Sequence, residues 1–220
     1  MLDESTLQLN PNKTIGYRLA AGTLRVLARI LFRPTVTGME HIPLDGPVLI
    51  APIHRSNLDF AFTLFISRRK TFFMAKDSLF ASSLVGGALR HLGAFPVQRG
   101  SADRESTQRA EEVLRRGYAL VLFPEGARKE GRVVEPLHDG AMFIAARTGA
   151  QVVPIGIGGS DRAMPVGVKL PRRVRVRIVI GEPIAPPASD GRIARSAVTA
   201  KSEELRRALQ SVYDRSLGLI

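Results

Sequence analysis

His54 and Asp59 stand five residues apart in the run His54-Arg55-Ser56-Asn57-Leu58-Asp59 and make a pair able to share a proton. The apolar run VLIAPI precedes them. In an α/β sheet, ligands and catalytic groups gather just past the carboxyl ends of strands, where His54 would sit. A spacing of five is too wide for neighbours within one helix, which meet at three or four. It fits a histidine in a loop and an aspartate in the first turn of the next helix, the carboxylate reaching back to the imidazole N–H. That contact fixes the tautomer and raises basicity, leaving the second ring nitrogen free to take a proton from a hydroxyl. Ser56 to Asp59 also fits a capping box, so the carboxylate has a purely structural alternative.

Three further segments carry useful groups after apolar runs. Phe123-Pro124-Glu125-Gly126-Ala127-Arg128 puts a carboxylate, a glycine and a cation in one turn. Glu125 can accept from a polyol hydroxyl, and Arg128 and Lys129 offer charge and donors to a phosphate; a solvated turn is the plainer alternative. Gly126 to Gly131 has phosphate-loop spacing, but Arg132 and Val133 replace the Lys and Ser or Thr that such a loop requires. Gly93 to Gly100 (GAFPVQRG) ends on Arg99, either a second phosphate clamp or a surface arginine. Val153-Pro154-Ile155 places a proline inside a strand-like run, which implies a bulge or an edge and a place beside an apolar channel.

The elements that must position these groups alternate. Strands are predicted over residues 48–51, 71–75, 94–97, 118–123 and 152–157, with helices over 58–69, 79–91, 102–116 and 140–148. This alternation predicts a single α/β domain over 34–220 with a largely parallel sheet flanked by helices. Residues 173–180 alternate Arg with Val and Ile, the pattern of a half-buried strand with one cationic face, and a last amphipathic helix is predicted over 193–213. Ahead of the domain, residues 14–33 form a basic amphipathic helix. Arg18, Arg25, Arg29 and Arg33 share one sector and Leu19, Val26, Leu27, Ile30 and Leu31 the opposite one. Such a helix either lies in a bilayer interface or packs on the domain's own core.

At 220 residues the chain can bury a real core as one domain. The absence of Cys excludes disulfides, thiolate metal sites and a cysteine nucleophile. A formal charge of +12 points to an anionic partner, whether phosphate groups, an acidic membrane surface or nucleic acid. Thr148 to Ser160 is the longest stretch without Asp, Glu, Lys or Arg and falls short of the ~20 apolar residues of a membrane span. Asp3 and Glu4 precede any apolar run, the reverse of a signal peptide. The expected location is therefore the cytoplasm, with peripheral association at the inner face of the cell membrane.

The four segments, in this order, resemble the glycerophospholipid acyltransferases of the lysophosphatidic acid acyltransferase type. Their four blocks read here as HRSNLD (54–59), GAFPVQR (93–99), FPEGAR (123–128) and VVPI (152–155). The resemblance implies His54 as the base that deprotonates the acceptor hydroxyl and Asp59 as its orienting partner. It implies Arg99, Glu125, Gly126 and Arg128 as the glycerol-phosphate site and Pro154 in the wall near the acyl chain. Where many members carry Thr and often Ser, this chain has Ala127 and Lys129. Members commonly have an N-terminal membrane-anchoring helix or helix pair, of which residues 14–33 look similar to a short version, so residues 1–33 are expected to be a membrane-docking segment.

The implied reaction moves a fatty acyl group from acyl-CoA or acyl-carrier protein to the hydroxyl of 1-acylglycerol 3-phosphate, with no cofactor or metal. Neither a cysteine nor a Gly-x-Ser-x-Gly elbow offers a carrier for an acyl-enzyme, so direct transfer is expected. Backbone N–H groups after His54 are the expected oxyanion site. Arg68, Arg69 and Lys70 are expected to join the basic helix at anionic lipid, and some of Phe60, Phe62, Phe65, Phe72, Phe73 and Phe80 to line an acyl tunnel. Alternatives are the same chemistry on glycerol 3-phosphate or another lysophospholipid, an esterase, and a non-enzymatic binder of membrane or nucleic acid. The last suits the charge but lacks a nucleic-acid motif.

Overall fold

The computed structural model describes residues 15–66, 69, 71–82, 86–87, 89–90, 92–97, 104–165, 167–168, 170–188 and 193–218. Seven strands form one sheet: β1 (Thr35–Thr37), β2 (Val48–Pro52), β3 (Thr71–Lys76), β4 (Ala94–Val97), β5 (Ala119–Val121), β6 (Gln151–Gly158) and β7 (Arg177–Ile180). Their spatial order is β1-β7-β6-β2-β5-β3-β4. β6, β2, β5, β3 and β4 run parallel, and every residue of β2 and β5 is buried, as the continuous apolar runs require. β7 turns antiparallel to β6 and pairs in parallel with β1. The helices are α1 (Ile15–Phe32), α2 (Asp59–Phe62), α3 (Arg104–Arg115), α4 (Gly140–Thr148), α5 (Ser160–Ala163) and α6 (Arg195–Leu217). The α/β domain with a largely parallel sheet is as the alternation predicts.

Two glycines let α6 lie directly on the sheet. A Cβ at Gly156 would stand 2.2 Å from the Val212 carbonyl oxygen, and one at Gly158 would stand 2.3 Å from that of Ser216. No larger residue fits under a helix backbone this close. The contact sets the height of α6, and with it the position of Tyr213, whose ring is 2% exposed.

Several elements are shorter than predicted. Helix α2 has one turn and tightens into a 3₁₀ turn over Thr63–Phe65, because the Thr63 hydroxyl donates to the Phe60 carbonyl at 2.6 Å. In the region of the predicted helix 79–91, a 3₁₀ turn covers Asp77–Phe80 and the described residues are helical only at 86–87 and 89–90. Of the predicted strand 173–180, only Arg177–Ile180 is paired as a strand, although Val176, Ile178 and Ile180 are buried while Arg173, Arg175 and Arg177 are exposed. Its partner β1 starts only at Thr35, after Pro34, which has no N–H to extend the ladder. Phe62, Phe72 and Phe73 lie in the core and Phe60, Phe65 and Phe80 pack against it, so the phenylalanines build the interior.

Helix α1 meets the domain through buried Ala21, Ala28 and Phe32, the last edge-on to Phe62 with ring centroids 5.3 Å apart. Arg25 turns inward, its Nε donating to the Leu64 carbonyl at 2.9 Å, and Arg29 lies over the Phe65 ring. Val26, Leu27 and Ile30 remain 57%, 51% and 58% exposed. Arg25 and Arg29, the latter still exposed, thus contact the domain, while Val26, Leu27 and Ile30 of the apolar side stay open. Arg69, expected at lipid, is instead engaged by three carbonyls, those of Pro43, Gly46 and Gly117. Arg68 and Lys70 lie outside the described residues.

Candidate active site

The loop after β2 carries His54 past the carboxyl end of the strand. Its Nδ1 lies 3.1 Å from Asp59 Oδ2, and its ring stacks on Phe123 with centroids 4.1 Å apart. The side chain is 11% exposed, and Nε2 has no hydrogen-bond partner among the described residues. The Asp59 side chain is fully buried. Its Oδ2 also accepts the N–H groups of Arg55 (2.6 Å) and Ser56 (2.7 Å), so one oxygen both caps the turn and aims the imidazole. The two readings of this carboxylate are therefore compatible. Oδ1 is buried without a partner among the described residues.

These bonds narrow the set of N–H groups for the expected oxyanion site. The N–H groups of Arg55 and Ser56 go to Asp59, that of Leu58 to the Ser56 hydroxyl at 3.2 Å, and that of Asp59 to the Ser56 carbonyl. These four donors are used within the turn.

Glu125 takes up a different employment from the one its loop suggests. Its carboxylate, 1% exposed, accepts the backbone N–H of His54 at 2.8 Å and Nη1 of Arg55 at 2.8 Å on both oxygens. Arg55 is equally buried and distributes its remaining donors among carbonyls. Nη1 also reaches that of His54, Nε that of Gly131, and Nη2 that of Val133, each at 3.1 Å. Its guanidinium lies 5.2 Å from the centre of the Tyr213 ring. Burial pushes the Tyr213 hydroxyl above its ordinary pKa against the pull of Arg55, which keeps it neutral. The loop that meets Arg55 is itself tied to α6, since Gln210 accepts from Val134 N–H at 2.8 Å and donates to the Arg132 carbonyl at 3.0 Å. The two glycines under α6 thus reach His54 through Tyr213, Gln210, Arg55 and Glu125.

Gly126 adopts φ +70°, a left-handed conformation that favours glycine, and a Cβ there would stand 2.7 Å from the His138 ring and push it aside. Arg128 beyond it is partly exposed and has no ion-pair partner among the described residues. Lys129 is spent, its N–H on the His54 carbonyl at 2.9 Å and its ammonium on Glu135.

Pro154 lies buried within β6, at the centre of the sheet rather than on an edge. The pairing of β6 slips there: Ile155 faces Ile180 whereas Val152 faces Ile184, one residue extra on the second chain, which is a bulge. The proline accommodates it because its missing N–H falls where the ladder breaks, while its carbonyl still accepts from Gly181. Its Cγ would meet a Cβ on Gly181, beside Val212 of α6. Arg99 lies outside the described residues.

The structure therefore joins His54, Asp59, Glu125 and Gly126 in one corner. It adds Arg55, Tyr213, Gln210 and His138, which sequence reasoning missed. Arg55 stood inside the motif, but nothing in the sequence pairs it with a tyrosine in the last helix.

An acyltransferase family model matches residues 33–158. The chain is 29% identical over 169 residues to the 1-acyl-sn-glycerol-3-phosphate acyltransferase of Bacillus subtilis, covering 76% of this chain and 82% of that one. It is 32% identical over 187 residues to the protein of the same name from Streptococcus pneumoniae, covering 80% and 67%. Against a chloroplastic 1-acyl-sn-glycerol-3-phosphate acyltransferase of Brassica napus it is 31% identical over 157 residues, covering 70% of this chain but 45% of the other. The chain thus spans less than half the length of the chloroplastic relatives it matches. Its fold resembles the crystal structure of the 1-acyl-sn-glycerophosphate acyltransferase of Thermotoga maritima. The TM-score is 0.74 at 24% identity, over 90% of this chain and 79% of that one.

Proposed function

Because the chain belongs to the acyltransferase family, we propose that it moves a fatty acyl group from an acyl thioester, acyl-CoA or acyl-carrier protein, to the free hydroxyl of 1-acylglycerol 3-phosphate. The product is phosphatidic acid, a step of phospholipid biosynthesis. The substrate follows the names of the Bacillus and Streptococcus relatives, and the observation that carries the chemistry is the His54–Asp59 contact at 3.1 Å with no partner on Nε2 among the described residues. His54 Nε2 takes the hydroxyl proton as the oxygen attacks the thioester carbonyl. The C–O bond forms, the C–S bond breaks, and the thiolate leaves with the proton returned by His54. No covalent acyl-enzyme intervenes. Asp59 orients the base, and Glu125 serves at one remove by fixing the His54 backbone.

Arg128, Arg99 and the Gly126 turn hold the acceptor phosphate and glycerol, and Pro154 shapes the acyl side through the bulge it sustains. Residues 1–33 dock the domain to the cytoplasmic face of an anionic membrane. Exposure of Val26, Leu27 and Ile30 supports this docking, and no described helix is long and apolar enough to cross a membrane.

The test offers the purified protein lysophosphatidic acid, glycerol 3-phosphate and lysophosphatidylcholine with each donor, resolving products by position. Thioester consumption is expected with lysophosphatidic acid above the others, and rapid-quench mass spectrometry is expected to find no acylated protein. Equal consumption without any acceptor would make the protein a thioesterase; a stoichiometric ester on a side chain would refute direct transfer.

A further inference from the structure

Besides the His54 corner, the same end of the sheet carries a second concentration of arginines. Between the end of α1 and the segment before β7 lies a cavity of about 230 Å³, lined by Leu31, Phe32, Arg33, Arg173, Val174 and Arg175. Arg33, Arg173 and Arg175 are exposed, and no carboxylate pairs with them among the described residues. Arg33 also holds φ +42°, and it is the one non-glycine with positive φ among the described residues. A helix end of this kind ordinarily takes glycine or asparagine. An arginine kept in a left-handed conformation brings a charge to a place where the backbone alone would favour glycine.

The strand registers place this notch relative to the base. Arg177 at the start of β7 pairs with both Gly158 at the end of β6 and Thr35 at the start of β1. β2 runs parallel to β6 with Pro52 opposite Ile155, so residues preceding β1 and β7 lie at the end of the sheet where His54 follows β2. Two contacts tie the regions together: the Ser56 hydroxyl donates to the Met164 carbonyl at 2.9 Å, and Phe32 meets Phe62. Apolar side chains stand open beside the notch in sequence on both elements. Val26, Leu27 and Ile30 lie on α1, and Leu170, at 78% the most exposed of the large apolar residues among those described, lies ahead of Arg173.

We propose that this notch binds the phosphodiester of an anionic phospholipid in the bilayer. On this reading the domain docks on two prongs, α1 and the segment around Leu170, with a lipid headgroup held between them. Charge complementarity and the apolar flanks select the occupant. Three unpaired guanidiniums suit a phosphate, whereas exposed Leu170 and Ile30 gain only from hydrocarbon, which a free phosphate or a nucleic-acid backbone does not supply. The inference rests on membrane docking as proposed above but not on acyl transfer. It adds a lipid site apart from the acceptor site and directs the His54 corner toward the membrane, where a lipid acceptor resides.

Co-sedimentation of the full chain with vesicles tests it without reference to activity, using phosphatidylcholine alone or mixed with phosphatidylglycerol. Wild type is expected on the mixed vesicles only. Each of R33Q, R173Q and R175Q should lose roughly fivefold in partitioning at low salt, and the triple variant on the order of a hundredfold. Leu170→Ser should weaken binding with the salt dependence intact. Arg33→Gly separates binding from folding: it relieves the positive φ, so thermal stability should hold or rise while partitioning falls. Wild-type binding unchanged in the triple variant would overturn the notch and leave docking by α1 standing. No wild-type binding to mixed vesicles would overturn both. Displacement of wild type from vesicles by millimolar inorganic phosphate would show a free-anion site and overturn the lipid assignment, as would tighter, arginine-dependent binding to duplex DNA.

Discussion

Arg55 and Arg33 serve the same end of one sheet in opposite states. Arg55 is 2% exposed and meets one carboxylate, three carbonyls and an aromatic face. Arg33, with Arg173 and Arg175, is exposed around an open notch. A guanidinium taken out of water must have its donors satisfied by the protein, so it becomes scaffolding. One left at the surface without a carboxylate keeps its capacity for a ligand. Partners, rather than residue type or nearness to a motif, separate the arginine that holds the base from those that can meet phosphate.

The largest effect expected on this comparison comes from His54→Ala. General-base catalysis contributes about 10²- to 10⁴-fold, and kcat should fall by that order. The fold should survive. The structural bonds of residue 54 run through its backbone, N–H to Glu125 and carbonyl to Arg55 and Lys129, and all outlast the ring. Circular dichroism and a thermal melt would verify that. Activity within tenfold of wild type would remove His54 from the mechanism.

Glu125→Gln acts on the closed corner in the other way, through stability. Removing one charge from a buried ion pair costs about 3–5 kcal/mol. At this chain length each kcal/mol lowers Tm by roughly 2–4 °C. A double substitution of Arg55 and Glu125 by Met should recover part of that loss, since no charge is then stranded. If the single variant melts with wild type, the pair is not the scaffold its geometry implies.

The contrast between the two corners explains what the sequence could and could not disclose. Strand-helix alternation marked the parallel sheet because buried strands are continuous apolar runs, as Val48 to Pro52 shows. His54 and Asp59 were readable because their partnership spans five residues and needs only a loop and a turn. The partners of Glu125, Arg55 and the His54 N–H, were not readable from its own turn because they come from a loop some seventy residues away. The wheel leaves α1 two readings, bilayer interface or domain core, because it groups side chains by polarity without showing which group meets the domain. Arg25 on the Leu64 carbonyl and buried Ala28 mark the side that does. The notch joins two separate periodic signals, the arginine sector that ends at Arg33 and the alternation at Arg173 and Arg175. The sequence could not join them because they meet only through the pairing of β1 with β7.

Arg128 bears on the comparison from the open side of the closed corner. A hydrogen bond to a charged group contributes about 1.5–3 kcal/mol, so Arg128→Ala should raise KM for the acceptor roughly ten- to a hundredfold. Because the side chain has no partner among the described residues to leave stranded, Tm should not move. The signature is therefore the reverse of Glu125→Gln: binding changes and stability does not. A drop in Tm would place Arg128 with Arg55 as scaffolding.

The smallest effect belongs to the exposed apolar stripe. Ile30 is 58% exposed, so in water it contributes little to the fold, and its value emerges only if hydrocarbon covers it. Full burial of such a side chain is worth about 1.5–3 kcal/mol, and an interfacial position recovers part of that. Ile30→Ser should therefore weaken partitioning onto anionic vesicles about fivefold at every ionic strength, since an apolar contact is not screened. R33Q should instead lose its effect as salt rises. Matching salt profiles for the two variants would mean that the stripe and the arginines do not act through separate forces, and the division between an apolar prong and a charged notch would fail.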